Sequence, residues 1–269
     1  MTAPGPAGTL ARVSFDATYF VELQEIEDHH FWFRARNRLI EAVVGRFAPP
    51  PEARGLALEI GCGTGNVLRV LERVYSPGRV VGLDLWPEAL HHARRRTSSA
   101  LVCGDVNRLP LRAGFGLVGA FDVIEHVPDD EGLLRHLWRC LVPGGLVCLT
   151  VPAGPSLWSY FDDEARHCRR YREADLHAVL ERCRFEVVHS THFMATLLPL
   201  VWLHRRAPAA PVPAGAERPR DRVQRELRLG RLLNRALEAV LAPELALLTR
   251  GGSLPFGTSL IAVARKPGD

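Results

Sequence analysis

The stretch LALEIGCGTGN, residues 56–66, constrains the fold more than any other part of the chain. Its first five residues are apolar or small except one, which is typical of a strand buried on both faces of a parallel sheet. Three glycines then occupy every second position: Gly61, Gly63 and Gly65. Because glycine has no Cβ and adopts positive φ freely, this turn can bend tightly and bring its backbone against a ligand. Apolar residues at helical spacing come next over 67–74, so the stretch predicts a nucleotide-like ligand at a helix N-terminus.

The spacing of these glycines separates two classes of cofactor. A dinucleotide fingerprint, G-x-G-x-x-G, requires a third glycine at the position that Asn66 occupies, which disfavours an NAD-dependent oxidoreductase. The segment EIGCGTG, residues 59–65, instead resembles the first motif of class I S-adenosylmethionine (SAM) methyltransferases, E/D-x-G-x-G-x-G. A single glycine motif is weak evidence, so the interpretation depends on the segments C-terminal to it.

The same resemblance continues without a gap to Pro152. Four further segments match the later motifs of the family in order and at the right spacing: VVGLD (80–84), GDVNRLPL (104–111), DVIEHVPDD (122–130) and LVPGGLVCLTVP (141–152). The resemblance implies a Rossmann-like, doubly wound sheet of seven strands, six parallel and one antiparallel. It also implies SAM as the cofactor and S-adenosyl-L-homocysteine as its product. One departure is Gly116, which stands where the family has an aspartate at the start of the fourth strand.

The cofactor residues are assigned by position and by this resemblance. Asp84 ends the second strand, where a carboxylate can accept hydrogen bonds from both ribose hydroxyls, although it can also cap the helix that begins at Pro87. The resemblance places Asp105 and Val106 at the adenine ring. The complete set in the core is Glu59, Gly61, Cys62, Gly63, Gly65, Asp84, Leu85, Trp86, Asp105, Val106, Phe121, Asp122 and His126.

An aromatic and arginine-rich segment, HHFWFRARNR (29–38), follows the first of two predicted helices, 16–28, and continues into the second, 31–47. It resembles the leader of a bacterial methyltransferase subfamily. Two interpretations stand side by side. In one, the aromatic side chains pack on the core and the arginines face solvent; in the other, the helix covers the cofactor site, with Trp32 and Arg36 contacting the cofactor.

The acceptor side is predicted from the loop after the fifth strand, residues 156–171, which resembles the same subfamily's D-x-x-x-x-H-x-R-R-Y element. His167 and His126 are the candidate catalytic bases, because imidazole exchanges protons near neutral pH. In the alternative, both histidines are structural, and acids of the loop pair with its arginines. The candidate acceptor-binding residues are Tyr19, Trp158, Tyr160, His167, Arg170 and Tyr171.

The chain divides into five segments by composition and pattern. We expect a disordered tail (1–14), a helical cap (15–50), the SAM-binding core (51–192), a helical insert (193–253), and the last strand with a tail (254–269). Residues 204–235 of the insert hold nine arginines and three acids, a local net charge of +6. The insert is interpreted as a lid over the acceptor; an oligomer interface and a surface that meets a membrane or an anionic lipid-linked substrate are the alternatives.

The cysteines and the length of the apolar runs limit the classes of function that remain. Six scattered cysteines without a C-x-x-C pair predict neither disulfides nor a metal site. No apolar run reaches 18 residues and no signal peptide is apparent, so we expect a cytoplasmic protein, with peripheral membrane contact left open. The predicted function is O- or N-methylation of a small-molecule or natural-product acceptor, lipid- and sugar-linked acceptors included, by a monomer or homodimer that does not act on nucleic acid. The alternative is a non-catalytic SAM-binding or regulatory subunit.

Overall fold

Seven strands form one sheet in the computed structural model, which describes residues 20–50, 55–106, 108, 113–206 and 228–268. The predicted tail and Tyr19 lie outside the described residues. The strands are β1 (Leu56–Ile60), β2 (Val80–Asp84), β3 (Ala100–Cys103), β4 (Phe115–Phe121), β5 (Leu141–Pro152), β6 (Glu186–Phe193) and β7 (Ser259–Arg265).

The strand order is β3-β2-β1-β4-β5-β7-β6. Strands β1 to β5 pair in parallel, and β7 lies antiparallel between β5 and β6. This arrangement confirms the predicted sheet of six parallel strands and one antiparallel strand. The pairing on both sides of β4 shifts at Gly116, so the residue that departs from the family motif lies at an irregularity far from the carboxyl ends of the strands.

Helices cover both faces of the sheet. They are α1 (Phe20–Ile26), α2 (Phe31–Phe47), α3 (Leu68–Tyr75), α4 (Pro87–Ala93), α5 (Asp130–Cys140), α6 (Tyr160–Glu164), α7 (Glu173–Arg182), α8 (Leu198–Arg206) and α9 (Arg231–Thr249). Helix α2 has the predicted bounds. Within the predicted helical insert, α8 and α9 are described, and 207–227 lie outside the described residues.

Two apolar clusters, one on each face, hold these layers together. On one face α2, α3 and α9 bury side chains such as Leu39, Leu71 and Leu245. On the other face α5 and α7 bury Leu134 and Leu180. In β1, Leu58 and Ile60 belong to the second cluster and Ala57 to the first, so the strand buries side chains on both faces of the sheet.

The N-terminal helix α2 and the insert helix α9 lie side by side, although about 200 residues separate them in the sequence. The Phe31 amide donates to Asn234 Oδ1 at 2.9 Å, and Arg34 pairs with Glu238 at 2.9 Å. At the far end, Arg46 Nη2 donates to the carbonyl of Thr249 at 2.8 Å. These contacts occur in the same order along both helices, so the two helices run parallel and pack as one layer.

Among the described residues, the structure has no helix with the length and apolar character needed to cross a bilayer.

Candidate functional site

A cavity of about 830 Å³ opens at the carboxyl ends of β1, β2 and β4. This is the edge of an open α/β sheet at which ligands bind. Its lining residues come from the glycine turn, from α1 and α2, from α6 and from the start of α8. One space therefore adjoins both the predicted cofactor residues and the predicted acceptor loop.

The glycine turn needs glycine for steric reasons. Gly61, Gly63 and Gly65 all have positive φ, at 64°, 52° and 83°. A Cβ on Gly61 would lie 2.7 Å from Val123 Cγ2, and one on Gly65 would lie 3.1 Å from Ala93. The turn therefore packs against the loop after β4 on one side and against α4 on the other, which brings its amides close to the cavity.

Asp84 organises this turn from the end of β2. Its Oδ2 accepts the Gly63 amide at 2.7 Å, and its Oδ1 accepts the Trp86 amide at 2.9 Å. Burial raises the pKa of this carboxyl, while the hydrogen bonds from the Trp86 and Gly63 amides act in the opposite direction. Asp84 does not act as the N-cap of α4, because Trp86 holds that position; the Asp84 carboxylate bonds the Gly63 and Trp86 amides and lines the cavity.

Buried polar atoms in the cavity wall that lack a hydrogen-bond partner among the described residues include Glu59 Oε2 and Trp86 Nε1. Burial raises the pKa of Glu59 well above its usual range, and the nearby Arg36 guanidinium opposes that shift. Burying a polar group without a hydrogen-bond partner costs free energy. Glu59 Oε2, as an acceptor or an acid, and Trp86 Nε1, as a donor, are therefore available to hydrogen-bond a polar ligand. An adenosyl and amino-acid ligand such as SAM has matching groups, and these residues fit it.

Arg36 joins the N-terminal wall to the sheet. Its Nη1 lies 2.5 Å from Asp122 Oδ2, and its guanidinium lies over the rings of Trp32 and Phe33 at 4.9 and 5.3 Å. Asp122 has a φ of 56°, a left-handed conformation that aspartate tolerates better than most residues. The aromatic segment thus covers the cavity rather than only packing on the core, and this arginine is buried rather than facing solvent.

A buried network ties α1 to the glycine turn. The Glu27 carboxylate accepts the Thr64 hydroxyl and pairs with Arg96, and Arg96 Nη1 donates to Thr64 Oγ1 at 3.0 Å. Burial raises the pKa of Glu27, and its bonds to Thr64 and Arg96 counteract the shift. The sequence did not predict this network, because nothing in the spacing of residues 27, 64 and 96 brings them together.

The acceptor side centres on two histidines. His126 and His167 have ring centroids 4.7 Å apart, and both line the cavity. His167 Nδ1 lies 2.9 Å from Oδ1 of Asp162, a residue that is only 1% exposed. Burial, together with the neighbouring His167, lowers the pKa of His126 to about 3, so that ring is neutral near pH 7.

Asp162 is held in turn by other groups. Arg170 Nε donates to its Oδ1 at 2.9 Å, and the Ser159 amide donates to its Oδ2 at 2.9 Å. A carboxylate fixed in this way accepts the Nδ1 proton of His167, which leaves the lone pair of that ring on Nε2.

Glu125, His126 and His167 also offer ligand atoms that lie within 4.8 Å of one another. Glu125 is fully buried, and burial raises its pKa well above the usual range, with Asp122 adding to the shift. A carboxyl and two imidazoles are donors that a divalent transition metal accepts, so these three are the residues that could hold an ion in the described part of the chain.

Most of the predicted cofactor residues meet in this cavity. Those that line it are Trp32, Arg36, Glu59, Gly61, Cys62, Gly63, Asp84, Leu85, Trp86, Asp105, Val106, Phe121, Asp122 and His126. Gly65 lies behind the turn, against Ala93.

The predicted acceptor residues are divided. His167 lines the cavity, whereas Trp158, Tyr160, Arg170 and Tyr171 do not. Arg170 bonds Asp162 and the Ala153 carbonyl, and the Tyr171 hydroxyl donates to Asp130 at 2.7 Å. Trp158 is 40% exposed and donates from Nε1 to Asp163. These four side chains surround the loop instead, and the cavity wall receives Phe161 and Glu164 from α6, which the sequence analysis missed.

A parallel sheet with a glycine turn, an acid at the end of β2 and a cavity at the carboxyl edge defines the Rossmann-like class of nucleotide-cofactor enzymes. Residues 32–190, more than half of the chain, match the methyltransferase domain family. The chain belongs to that family, and its matched residues form a methyltransferase domain of the class I SAM-dependent type.

Individual proteins agree with this assignment. A probable S-adenosylmethionine-dependent methyltransferase of Mycolicibacterium smegmatis is 31% identical over 166 residues, which cover 60% of this chain and 62% of that protein. A trans-aconitate 2-methyltransferase of Methylobacterium radiotolerans is 33% identical over 104 residues, 38% of this chain and 40% of the relative.

A solved complex of the Haloferax volcanii Trm112 methyltransferase activator with a putative methyltransferase has the same fold. Its TM-score is 0.61 at 18% identity, over 93% of this chain and 97% of that one. The chain spans less than two thirds of the length of each of the first curated relatives that it matches.

Proposed function

We propose that this protein transfers the methyl group of SAM to a hydroxyl or amine of a small-molecule acceptor with a largely apolar body. The observation that carries the proposal is the single cavity that joins the glycine turn at one end to the His126–His167 pair at the other. A methyl donor at the first and a nucleophile at the second would meet within one enclosed space, which favours reaction through positioning.

At the cofactor end of the cavity, we assign a role in binding SAM to each of three side chains. Asp84 would accept the ribose hydroxyls, Glu59 would accept a polar group of the amino-acid portion, and Trp86 would lie beside the adenine ring. Bound SAM supplies an electrophilic methyl group on a sulfonium. Arg36 and its two aromatic neighbours would close this end against water, since they cover it from the N-terminal side.

We assign His167 as the base that takes the proton of the acceptor. As the acceptor oxygen or nitrogen gains the methyl group, its proton passes to His167 Nε2, while Asp162 holds the Nδ1 proton. His126 is neutral and lies against the same ring, so we assign it to positioning the acceptor rather than to removing the proton.

The cavity wall supports an acceptor that is apolar and of limited size. On the acceptor side it presents Phe161, Val127, Leu200 and Val201 rather than a row of basic side chains. A nucleic-acid acceptor would call for a positive groove, whereas Arg36 is the one arginine or lysine among the described residues of this wall. The methylated acid named for one relative, trans-aconitate, is also a small molecule. The aromatic leader and the H-x-R-R-Y element, by which the chain resembles a bacterial subfamily, both lie at this cavity or its support.

The test is transfer of labelled methyl from SAM into a small-molecule extract of the encoding organism, with mass identification of the product. We expect a labelled small molecule with the wild-type protein and at least a roughly hundredfold lower rate with His167→Ala. SAM binding is measured in parallel, because His167→Ala should keep it. A protein that binds SAM but labels nothing in any extract would favour the non-catalytic SAM-binding alternative.

A further inference from the structure

Exposed apolar side chains are concentrated on two helices of the described chain, α8 and α9. Eleven large apolar residues are exposed among the described residues, and eight of them lie between 200 and 256. Seven of these occur on α8 and α9, and we call them the apolar rim: Leu200, Trp202, Leu203, Leu232, Leu233, Val240 and Leu247. Their exposed fractions run from 44% for Trp202 to 82% for Leu232, so they are not the incidental edges of core residues.

The apolar rim adjoins the mouth of the cavity. Leu200 belongs to the rim and also lines the cavity, together with Leu229. Leu229 is followed after three residues by Leu232, at the start of α9. An apolar path therefore leads from the acceptor end of the cavity to the outer surface.

The charges on the exposed side of α9 are of one sign. Its exposed charged residues, with the residue that follows the helix, are Arg231, Arg235 and Arg250. The two acids of α9 turn inward: Glu238 pairs with Arg34, and Glu244 is 8% exposed and accepts the amides of Ala195 and Thr196. This side of the helix thus combines leucine, valine and alanine with arginine, and residues 204–235 carry a net charge of +6.

We propose that the apolar rim docks on an anionic lipid bilayer, from which an acceptor with an apolar chain enters the cavity. Leucine and tryptophan side chains insert at the boundary between headgroups and acyl chains, and arginines bind the lipid phosphates. The statement about the acceptor rests on the proposed function, whereas docking itself does not. Charge favours the bilayer over a second copy of the chain, because in a symmetric dimer the patch would meet itself and bring its arginines together.

The experiment is flotation of the full chain with vesicles, without SAM or acceptor, so that its result is independent of methyl transfer. Vesicles of phosphatidylcholine alone are compared with vesicles that contain about one third phosphatidylglycerol. We expect binding to the anionic vesicles at least about tenfold stronger, with a decrease at high salt.

Two double variants separate the apolar rim from overall charge. Leu232→Glu/Leu233→Glu and the matched control Arg79→Gln/Arg94→Gln each lower the net charge by two, and all four positions are exposed. We expect the first to lose at least about tenfold in vesicle affinity and the control to lose less than about threefold. A Leu232→Ser/Leu233→Ser variant, which leaves charge unchanged, should also lose affinity.

Three outcomes would overturn the proposal. They are no binding to either vesicle, an equal loss in both charge-matched variants, and a concentration-dependent dimer that only the leucine variants abolish. The last outcome would assign the rim to a second copy of this chain. Methyl transfer without vesicle binding would leave the proposed function standing and remove only the membrane inference.

Discussion

At the residue scale, Asp84 is the side chain on which the cofactor end most depends. It holds the Gly63 and Trp86 amides and faces the cavity with its remaining lone pairs. We expect Asp84→Ala to weaken SAM binding by at least about tenfold, because the turn loses its anchor and the ribose loses its acceptor. Isothermal titration with SAM measures this. Glu88→Ala, an exposed acid on the next helix, is the control, and an unchanged affinity in Asp84→Ala would refute the assignment.

Asp162 sets the state of His167, and its substitution gives a second prediction. In Asp162→Asn an amide faces Nδ1, so the ring can place its proton on Nε2 and lose the lone pair that faces the acceptor. We expect kcat to fall by at least about tenfold while the affinity for SAM stays the same, as steady-state kinetics and titration would show.

The matched control for Asp162→Asn is Asp163→Asn. It makes the same chemical change one residue later, at a side chain that contacts the exposed Trp158. Equal losses of kcat in both variants would mean that Asp162 acts through the stability of the loop rather than through His167.

At the scale of elements, the start of α2 depends on a neutral histidine. His30 caps this helix, since its Nδ1 accepts the Trp32 amide at 3.2 Å, and burial lowers its pKa to about 4. The unfolded chain takes up this proton near pH 6.5, before the folded chain does. The free energy of unfolding contributed by His30 therefore falls as the pH drops from about 6.5 to about 4, by up to about 3 kcal/mol.

The test of this cap is His30→Asn, which can cap the helix but does not titrate. We expect wild type and variant to differ by less than about 1 kcal/mol at pH 8, and the variant to gain relative to wild type as the pH falls to about 4.5. Urea unfolding at several pH values measures both. His91→Asn, at an exposed position, is the control, and parallel curves for wild type and His30→Asn would disprove the pH effect.

The elements could be predicted from sequence wherever local chemistry determines them. The β1 strand and the glycine turn follow from short-range patterns, so their place at the carboxyl edge was predictable. The Glu27, Thr64 and Arg96 network was not, because it joins three distant segments through tertiary packing alone. The sequence left open whether Arg170 binds the acceptor or pairs with an acid of its own loop, and in the fold it bonds the buried Asp162.

At the scale of the whole molecule, cofactor binding should stabilise the fold. A ligand at about 100 times its dissociation constant adds about 2.7 kcal/mol to the free energy of unfolding. For a chain of this size we expect SAM to raise Tm by roughly 5–10 °C, and NADH to leave it unchanged. Thermal unfolding with each compound measures this, and a shift with NADH alone would restore the dinucleotide interpretation that Asn66 disfavours.

A further prediction concerns the effect of a metal chelator on methyl transfer by the whole protein. The proposed reaction uses the lone pair of His167, so we expect a chelator to change the methyl-transfer rate by less than about twofold. If chelation abolishes activity and a divalent ion restores it, Glu125, His126 and His167 form a metal centre instead. Glu125→Gln would then lose the ion and its activity together.

The parallel packing of α2 against α9 has a consequence for how this sequence can evolve. The contacts of Phe31 with Asn234, Arg34 with Glu238 and Arg46 with Thr249 join segments about 200 residues apart in the sequence. A substitution in one helix that changes the size or charge of a side chain at the α2–α9 interface needs a compensating substitution in the other helix, encoded about 600 nucleotides away. Descendants of this chain should therefore show correlated substitutions between the two helices. Recombination that exchanges only one of the two helices should yield chimeras that fold poorly.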